Sequence, residues 1–329
     1  MSDTVPSLPT PEQILSALDR TGFVLEYRVA QRLQGLGFDV ILNDAFTDPD
    51  TGKSREIDVV ASVTKNIHRD NLAKIIIDAT LIIECKNYTD PVVVIGRGND
   101  TRFHNDNDKP VITFDPLSFE FANRSPKDYG GLYVRLGIWK LPSHSTKGFI
   151  GRQLIKMRRH DGRWQATNDS IYDSIIYPLA KATESERTEV ANSASDDVPQ
   201  PWYLPTFTYT FPILVTAGNI FTVDVIPGGA PVVAEAQWVP LVRHFSKSSF
   251  MMDVVSFNCL ATYVQQRVFP RLKEANETLA SHIEMFDPEW LKQQYGESSD
   301  PVFMEWLEDF RSSQARQADG EIDVPPSSC

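Results

Sequence analysis

Three carboxylates and a lysine near the start of the chain stand where apolar residues belong. They are Glu26 in "FVLEYRVAQRLQ", Asp58 in "REIDVVA", and Glu84 with Lys86 in "LIIECKNY". If the last stretch is a strand, Ile82, Glu84 and Lys86 share one face, and Ile83 and Cys85 the other. An unpaired buried carboxylate is costly, and two placed side by side raise a pKa. A divalent cation relieves both problems. Magnesium is satisfied by one or two carboxylates, several waters and a phosphate oxygen, which Asp58 and Glu84 could begin to supply. Lys86 would reach the same place, to position an attacking water or neutralise charge building on a phosphate. Glu26 shares a helix face with Gly22, Val29, Ala30 and Leu33, so its carboxylate turns toward the core.

The elements that must hold these groups are legible in outline. Thr10-Pro11-Glu12-Gln13 predicts a helix start, with Thr10 as cap, Pro11 at the first position and Gln13 completing a capping box. Thr21-Gly22 interrupts that helix, and Leu25, Val29, Leu33 and Leu36 stripe the next until Gly35 or Gly37. "FDVILNDAF", "REIDVVASV" and "KIIIDATLIIECKNY" read as strands. Residues 88–146 read as a long irregular insertion with strand-like pieces such as "LYVRLGIW". "GFIGRQLIKMRR" and "DSIYDSIIYPLAKA" predict helices, the second capped by Asp169 and bent or ended near Pro178. "TESERTEVANSASDDVPQP" is expected as a polar connection and "FTYTFPILVTAGNIFTVDV" as two strands. After Phe245 the pattern turns helical, and from about residue 312 the tail is expected to be disordered.

Together, these residues resemble the PD-(D/E)xK nuclease superfamily. The words that carry the likeness are "GFVLEYRVAQRLQGLGFDV", "REIDVVA" and "LIIECKN". The resemblance implies a restriction-endonuclease-like α/β fold, a mixed β-sheet flanked by helices, over a domain spanning 1–245. Beyond it, the residue pattern and not the resemblance predicts 246–329 as an acidic helical C-terminal extension. The resemblance also implies that Asp58, Glu84 and the main chain of Cys85 bind Mg²⁺ or Mn²⁺, that Lys86 is the motif lysine, and that Glu26 is the helix acid some members use. Many relatives carry a Gln on the helix after the third strand, for which Gln153 is the candidate. Ile57 precedes Asp58 where many members have proline, and about 60 residues separate Lys86 from the "GRQLIK" segment.

The implied activity is phosphodiester hydrolysis of nucleic acid, with DNA the expected substrate and defence or restriction a fitting role. Two rivals stay open: a noncatalytic protein-binding or assembly module on the same fold, and an RNA-cutting toxin or defence factor. A net charge of -12 opposes nonspecific attraction to nucleic acid, and residues 246–329 concentrate it, with seven Lys/Arg against fourteen Asp/Glu. That acidic end would suit a protein partner. Lys147 to Arg163 reverses the trend with six basic residues and one acid, so Arg152, Gln153, Lys156, Arg158 and Arg159 are the candidate substrate contacts. Nuclease domains that cut both strands are commonly paired, which leaves a homodimer open, although no stretch is a dimer signature. His104 lacks a partner at ligand spacing and reads as part of a polar loop. Three scattered cysteines, no signal peptide and no membrane-length apolar run predict a cytoplasmic protein.

Overall fold

The computed structural model describes residues 8–69, 72–98, 109–113, 131–144, 148–192, 204–226, 228–245 and 249–295, with 304–305, 307–309 and 312. Thr10 Oγ1 accepts the N–H of Gln13, and Gln13 Oε1 accepts the N–H of Thr10 at 2.9 Å, so the expected capping box opens α1 (Pro11–Thr21). Gly22, at φ 97, turns the chain into α2 (Phe23–Gln34). A left-handed residue with a side chain would cost about 1–2 kcal/mol there. α1 buries no side chain. α2 buries Leu25, Glu26, Val29, Ala30 and Leu33, as its periodicity predicts.

The antiparallel strands β1 (Asp39–Thr47), β2 (Ser54–Arg69) and β3 (Leu72–Lys86) follow. Next come β4 (Val92–Arg97), β5 (Val111–Ile112), the short α3 (Gly131–Arg135), β6 (Ile150–His160), β7 (Arg163–Thr167) and α4 (Tyr177–Asn192). The rest is β8 (Thr206–Thr216), β9 (Ile220–Asp224), β10 (Val232–Ala236), β11 (Trp238–His244), β12 (Ser249–Ser256), α5 (Leu260–Tyr263), α6 (Phe269–Ala280) and α7 (Pro288–Tyr295).

Twelve strands form one mixed sheet, ordered β1-β2-β3-β8-β12-β11-β6-β4-β9-β10, with β5 on β8 and β7 on β6. Helix α2 precedes β1, β2 and β3, and β8, which follows α4, pairs parallel with β3. On one face Leu25, Val29 and Leu33 of α2 and Leu272 of α6 pack with Val59, Leu81, Ile83 and Ile213. On the other, Ile175, Ile176 and Leu179 pack with Ile82, Leu214 and Val254. Strands β3 and β8 are covered on both faces, in keeping with the apolar runs Ile75–Ile77 and Leu81–Ile83 in β3 and Phe211–Val215 in β8. No helix among the described residues is long and apolar enough to cross a membrane.

Four expectations are corrected. "GFIGRQLIKMRR" is not a helix; residues 150–160 form β6, paired with β4, β7 and β11. Gly151 allows that packing, since a Cβ there would stand 2.2 Å from Val94 Cγ1. The segment expected as an irregular insertion contributes β4 to the sheet, and "LYVRLGIW" is α3 followed by a 3₁₀ turn at Ile138–Lys140.

The helix expected to end near Pro178 instead runs to Asn192, through part of the expected connection. A π-helical turn at Tyr172–Ile176 precedes the proline, and Ile171, not Asp169, is its cap. Widening the helix upstream accommodates a ring that would otherwise clash with the preceding turn. The same device, Val264–Val268, precedes Pro270.

Finally, the boundary expected at 245 cuts the sheet. β12 lies between β8 and β11, and helix begins only from Phe257, so the C-terminal part is no separate helical extension. Its helices complete the core that α2 begins. The tail beyond 312 and His104 lie outside the described residues.

Candidate active site

The carboxyl ends of β3 and β8 lie side by side, Glu84 opposite Leu214 and Lys86 opposite Thr216. Open α/β sheets bind ligands at such strand ends. Here β2 parts from β3: the ladder's last pair is Val59 with Ile83, and continuing the register sets Asp58 across from Glu84. The Asp58 side chain takes over from the main chain, its Oδ2 accepting the Cys85 N–H at 2.6 Å. On the outer side, Leu42 pairs with Val59 and Asp44 with Ile57, leaving Asn43 opposite Asp58 at φ 52. Asparagine tolerates this left-handed geometry better than most residues. The kink therefore sits beside the acid it flanks.

Four charged groups share this corner. Glu84 is 6% exposed and Glu26, brought in by α2, 8% exposed. Lys86 Nζ donates to Glu84 Oε1 as an ion pair. Burial and then the charge of Asp58 push the Glu84 carboxyl up to about 7, although Lys86 pulls it down. Asp58 is raised by burial, against the opposing pull of the Cys85 N–H and Lys86. Glu26 is raised by burial and by Asp58. Burial opposes the Lys86 ammonium, but Glu84 and Asp58 outweigh it and hold its pKa above the usual lysine value. The thiol of Cys85 is pushed well up, first by burial and then by Asp58, Glu26 and Glu84, so it is no nucleophile at neutral pH.

Three carboxylates against one ammonium leave a deficit of positive charge that a divalent cation would fill. Hard oxygen donors on adjacent strands suit Mg²⁺ or Mn²⁺, and the carboxyl pKa values are raised first by burial, which Lys86 only partly offsets. The donor set fits such an ion. Among the described residues, no group of three or more His, Cys, Asp and Glu side chains is preassembled around one.

The five candidate substrate contacts are sorted by the strand that replaces the expected helix. Alternation along β6 places Lys156 and Arg158 on one face and Gln153 and Arg159 on the other, and a bulge opposite Ile95 and Gly96 interrupts it at Arg152. Arg152 reaches His244 at 2.8 Å and its carbonyl accepts from Arg243, away from the acids. Gln153 is exposed opposite Ile95 and does not occupy a helix after the third strand. Lys156 and Arg158 do come close: Lys156 Nζ lies 5.6 Å from the centre of the Tyr88 ring, and both Lys86 and Arg158 act on the Tyr88 hydroxyl. Tyr88 was not singled out by sequence. Only the meeting of the β3–β4 loop with β6 gives it a role, and no linear signal records that. Asn43 had one, as a poor strand former inside "VILNDAF".

A scan against protein-family models finds no matching family, and searches of curated proteins and of solved structures return no similar chain.

Proposed function

We propose that this chain is a metal-dependent phosphodiesterase acting on nucleic acid, a DNA endonuclease on a restriction-endonuclease-like core. The observation that carries the reading is half-buried Asp58 beside buried Glu84 where β2 and β3 stop pairing, with Lys86 and Glu26 in the same field. Mg²⁺ or Mn²⁺ would be held by Asp58, Glu84 and the main chain of Cys85. When bound it supplies Lewis-acid polarisation of a phosphate oxygen.

The protein's own groups do the rest. Lys86, kept charged by its acidic neighbours, meets the phosphodiester and offsets the charge that builds on it. Glu26, with its raised pKa, orients the attacking water and is a better proton acceptor than a surface glutamate. Apolar strands on both sides limit water to the strand ends, which strengthens each of these interactions.

The Glu84–Lys86 ion pair favours one rival, a noncatalytic module in which the two charges satisfy each other. A cleavage assay separates the readings. Plasmid, single-stranded DNA and RNA are incubated with Mg²⁺ or Mn²⁺, beside Lys86→Ala. Metal-dependent products that disappear in the variant support hydrolysis, and which substrate is cut decides between DNA and RNA. No products on any substrate would leave the binding module.

A further inference from the structure

Lys156 is a buried cation with no carboxylate in ion-pair contact among the described residues, the Asp169 carboxylate acting on it only at longer range. It is 5% exposed, and its ammonium donates only to uncharged groups: the Asp169 carbonyl at 2.6 Å and Ser170 Oγ at 3.5 Å. Buried ammonium groups are ordinarily paired, because desolvation alone is worth several kcal/mol. This one stands near a second cation instead, the exposed Arg158, which makes no ion pair among the described residues. Burial and then Arg158 lower the Lys156 pKa, and the Asp169 carboxylate only partly offsets them. Such an arrangement is unfavourable unless an anion completes it.

The space for that anion is present. Tyr88, Asn87, Asp90, Lys156, Met157 and Arg158 help to line a cavity of about 170 Å³, two residues along the chain from Lys86. Pockets for drug-sized ligands hold ~300–1,000 Å³. This one therefore suits a single compact group. Its walls carry two cations against one acid, with an aromatic ring over which Lys156 is held.

We infer that Lys156, Arg158 and Tyr88 form a phosphate subsite, seating the phosphate that neighbours the scissile one on the same nucleic-acid strand. The inference rests on the nucleic-acid reading above. The subsite fixes the register of the strand over Lys86 through the backbone, independently of base identity.

The test is binding without turnover. Fluorescence anisotropy with a 20-nucleotide single-stranded DNA in EDTA is measured across salt concentrations for the full chain, Lys156→Met and Arg158→Gln. Each variant is expected to weaken binding severalfold and to make the salt slope shallower by about one. Lys156→Met is expected to raise the melting temperature, since it removes a buried charge that no contacting carboxylate neutralises among the described residues; a merely structural lysine would give the opposite sign. Should Lys156→Met fail to fold, Arg158→Gln carries the test alone. Unchanged affinity and slope in Arg158→Gln overturn the subsite. If wild type ignores the oligonucleotide but binds inorganic phosphate in a Lys156-dependent way, the strand assignment is overturned and a small-phosphate site remains.

Discussion

The Asp58 carboxylate accepts the main-chain N–H of Cys85 at 2.6 Å, at the point where β2 and β3 stop pairing. One oxygen is thus committed to holding the strand end, and the other is left to the charged corner. Asp58→Asn keeps an acceptor for Cys85 while removing a charge and a metal ligand. We expect it to abolish cleavage with thermal stability unchanged or higher, as functional charges commonly trade stability for placement. Added Mg²⁺ should stabilise wild type by ~2.7 kcal/mol at a hundredfold excess over its Kd, and the variant much less. An unfolded variant together with a metal-insensitive wild-type melt would make the carboxylates structural.

Metal affinity should depend on pH with a definite sign. The Glu84 pKa, raised to about 7, means that this carboxyl holds a proton below neutrality in the metal-free protein. A ligand must lose its proton to bind, so affinity rises as pH rises through about 7. Melting shifts induced by Mg²⁺ at pH 6 and pH 8 measure this, the larger being expected at pH 8. In Glu84→Gln the difference should shrink, and an equal shift at both values in wild type would contradict the assignment.

His144 predicts a separate acid sensitivity. Its Nε2 lies 3.3 Å from the Tyr209 hydroxyl and its Nδ1 3.2 Å from Ser143 Oγ. Burial, then Arg271 and Arg267, lower its pKa to about 3. A depressed folded pKa contributes stability that is present above the ordinary value near 6.5 and is lost as pH falls toward 3. The loss is on the order of a few kcal/mol over that window. Urea denaturation at several pH values should show a flatter dependence between pH 6 and 4 for His144→Gln.

Gly218 seats the loop that carries Tyr88. A Cβ there would lie 2.8 Å from the carbonyl oxygens of Tyr88 and Asp90 and 3.1 Å from that of Thr89. These are backbone atoms, so the loop itself must move. Gly218→Ala is expected to cost about 1–3 kcal/mol in denaturant melts. It should also weaken oligonucleotide binding by displacing Tyr88. Wild-type stability in this variant would show that the loop yields freely.

The charged corner was legible in sequence because a carboxylate within an apolar run is anomalous without reference to anything distant. Glu26, Asp58, Glu84 and Lys86 all carried that signal, and the structure brings them into one electrostatic field. The fate of "GFIGRQLIKMRR" was not local. Apolar positions there fit a helix as well as a strand, and the choice was made by β4 and β11, which lie elsewhere in the chain. The same holds for β12, whose strand character follows from its place between β8 and β11. In sequence Lys156 is one of five candidate substrate contacts; its burial depends on Asp169 and Tyr88, contacts no linear pattern encodes.

The parallel pairing of β3 with β8 has a consequence for the order in which the protein is made. Residues 206–216 are the second neighbour of the strand that carries Glu84 and Lys86, and β12 at 249–256 is in turn the second neighbour of β8. A ribosome releases the chain from its N-terminus, so β3 emerges long before the strand that covers its open edge. Until then that edge is unpaired and the corner has no second wall. A chain cut short during translation would carry every one of the four charged residues and still lack the site.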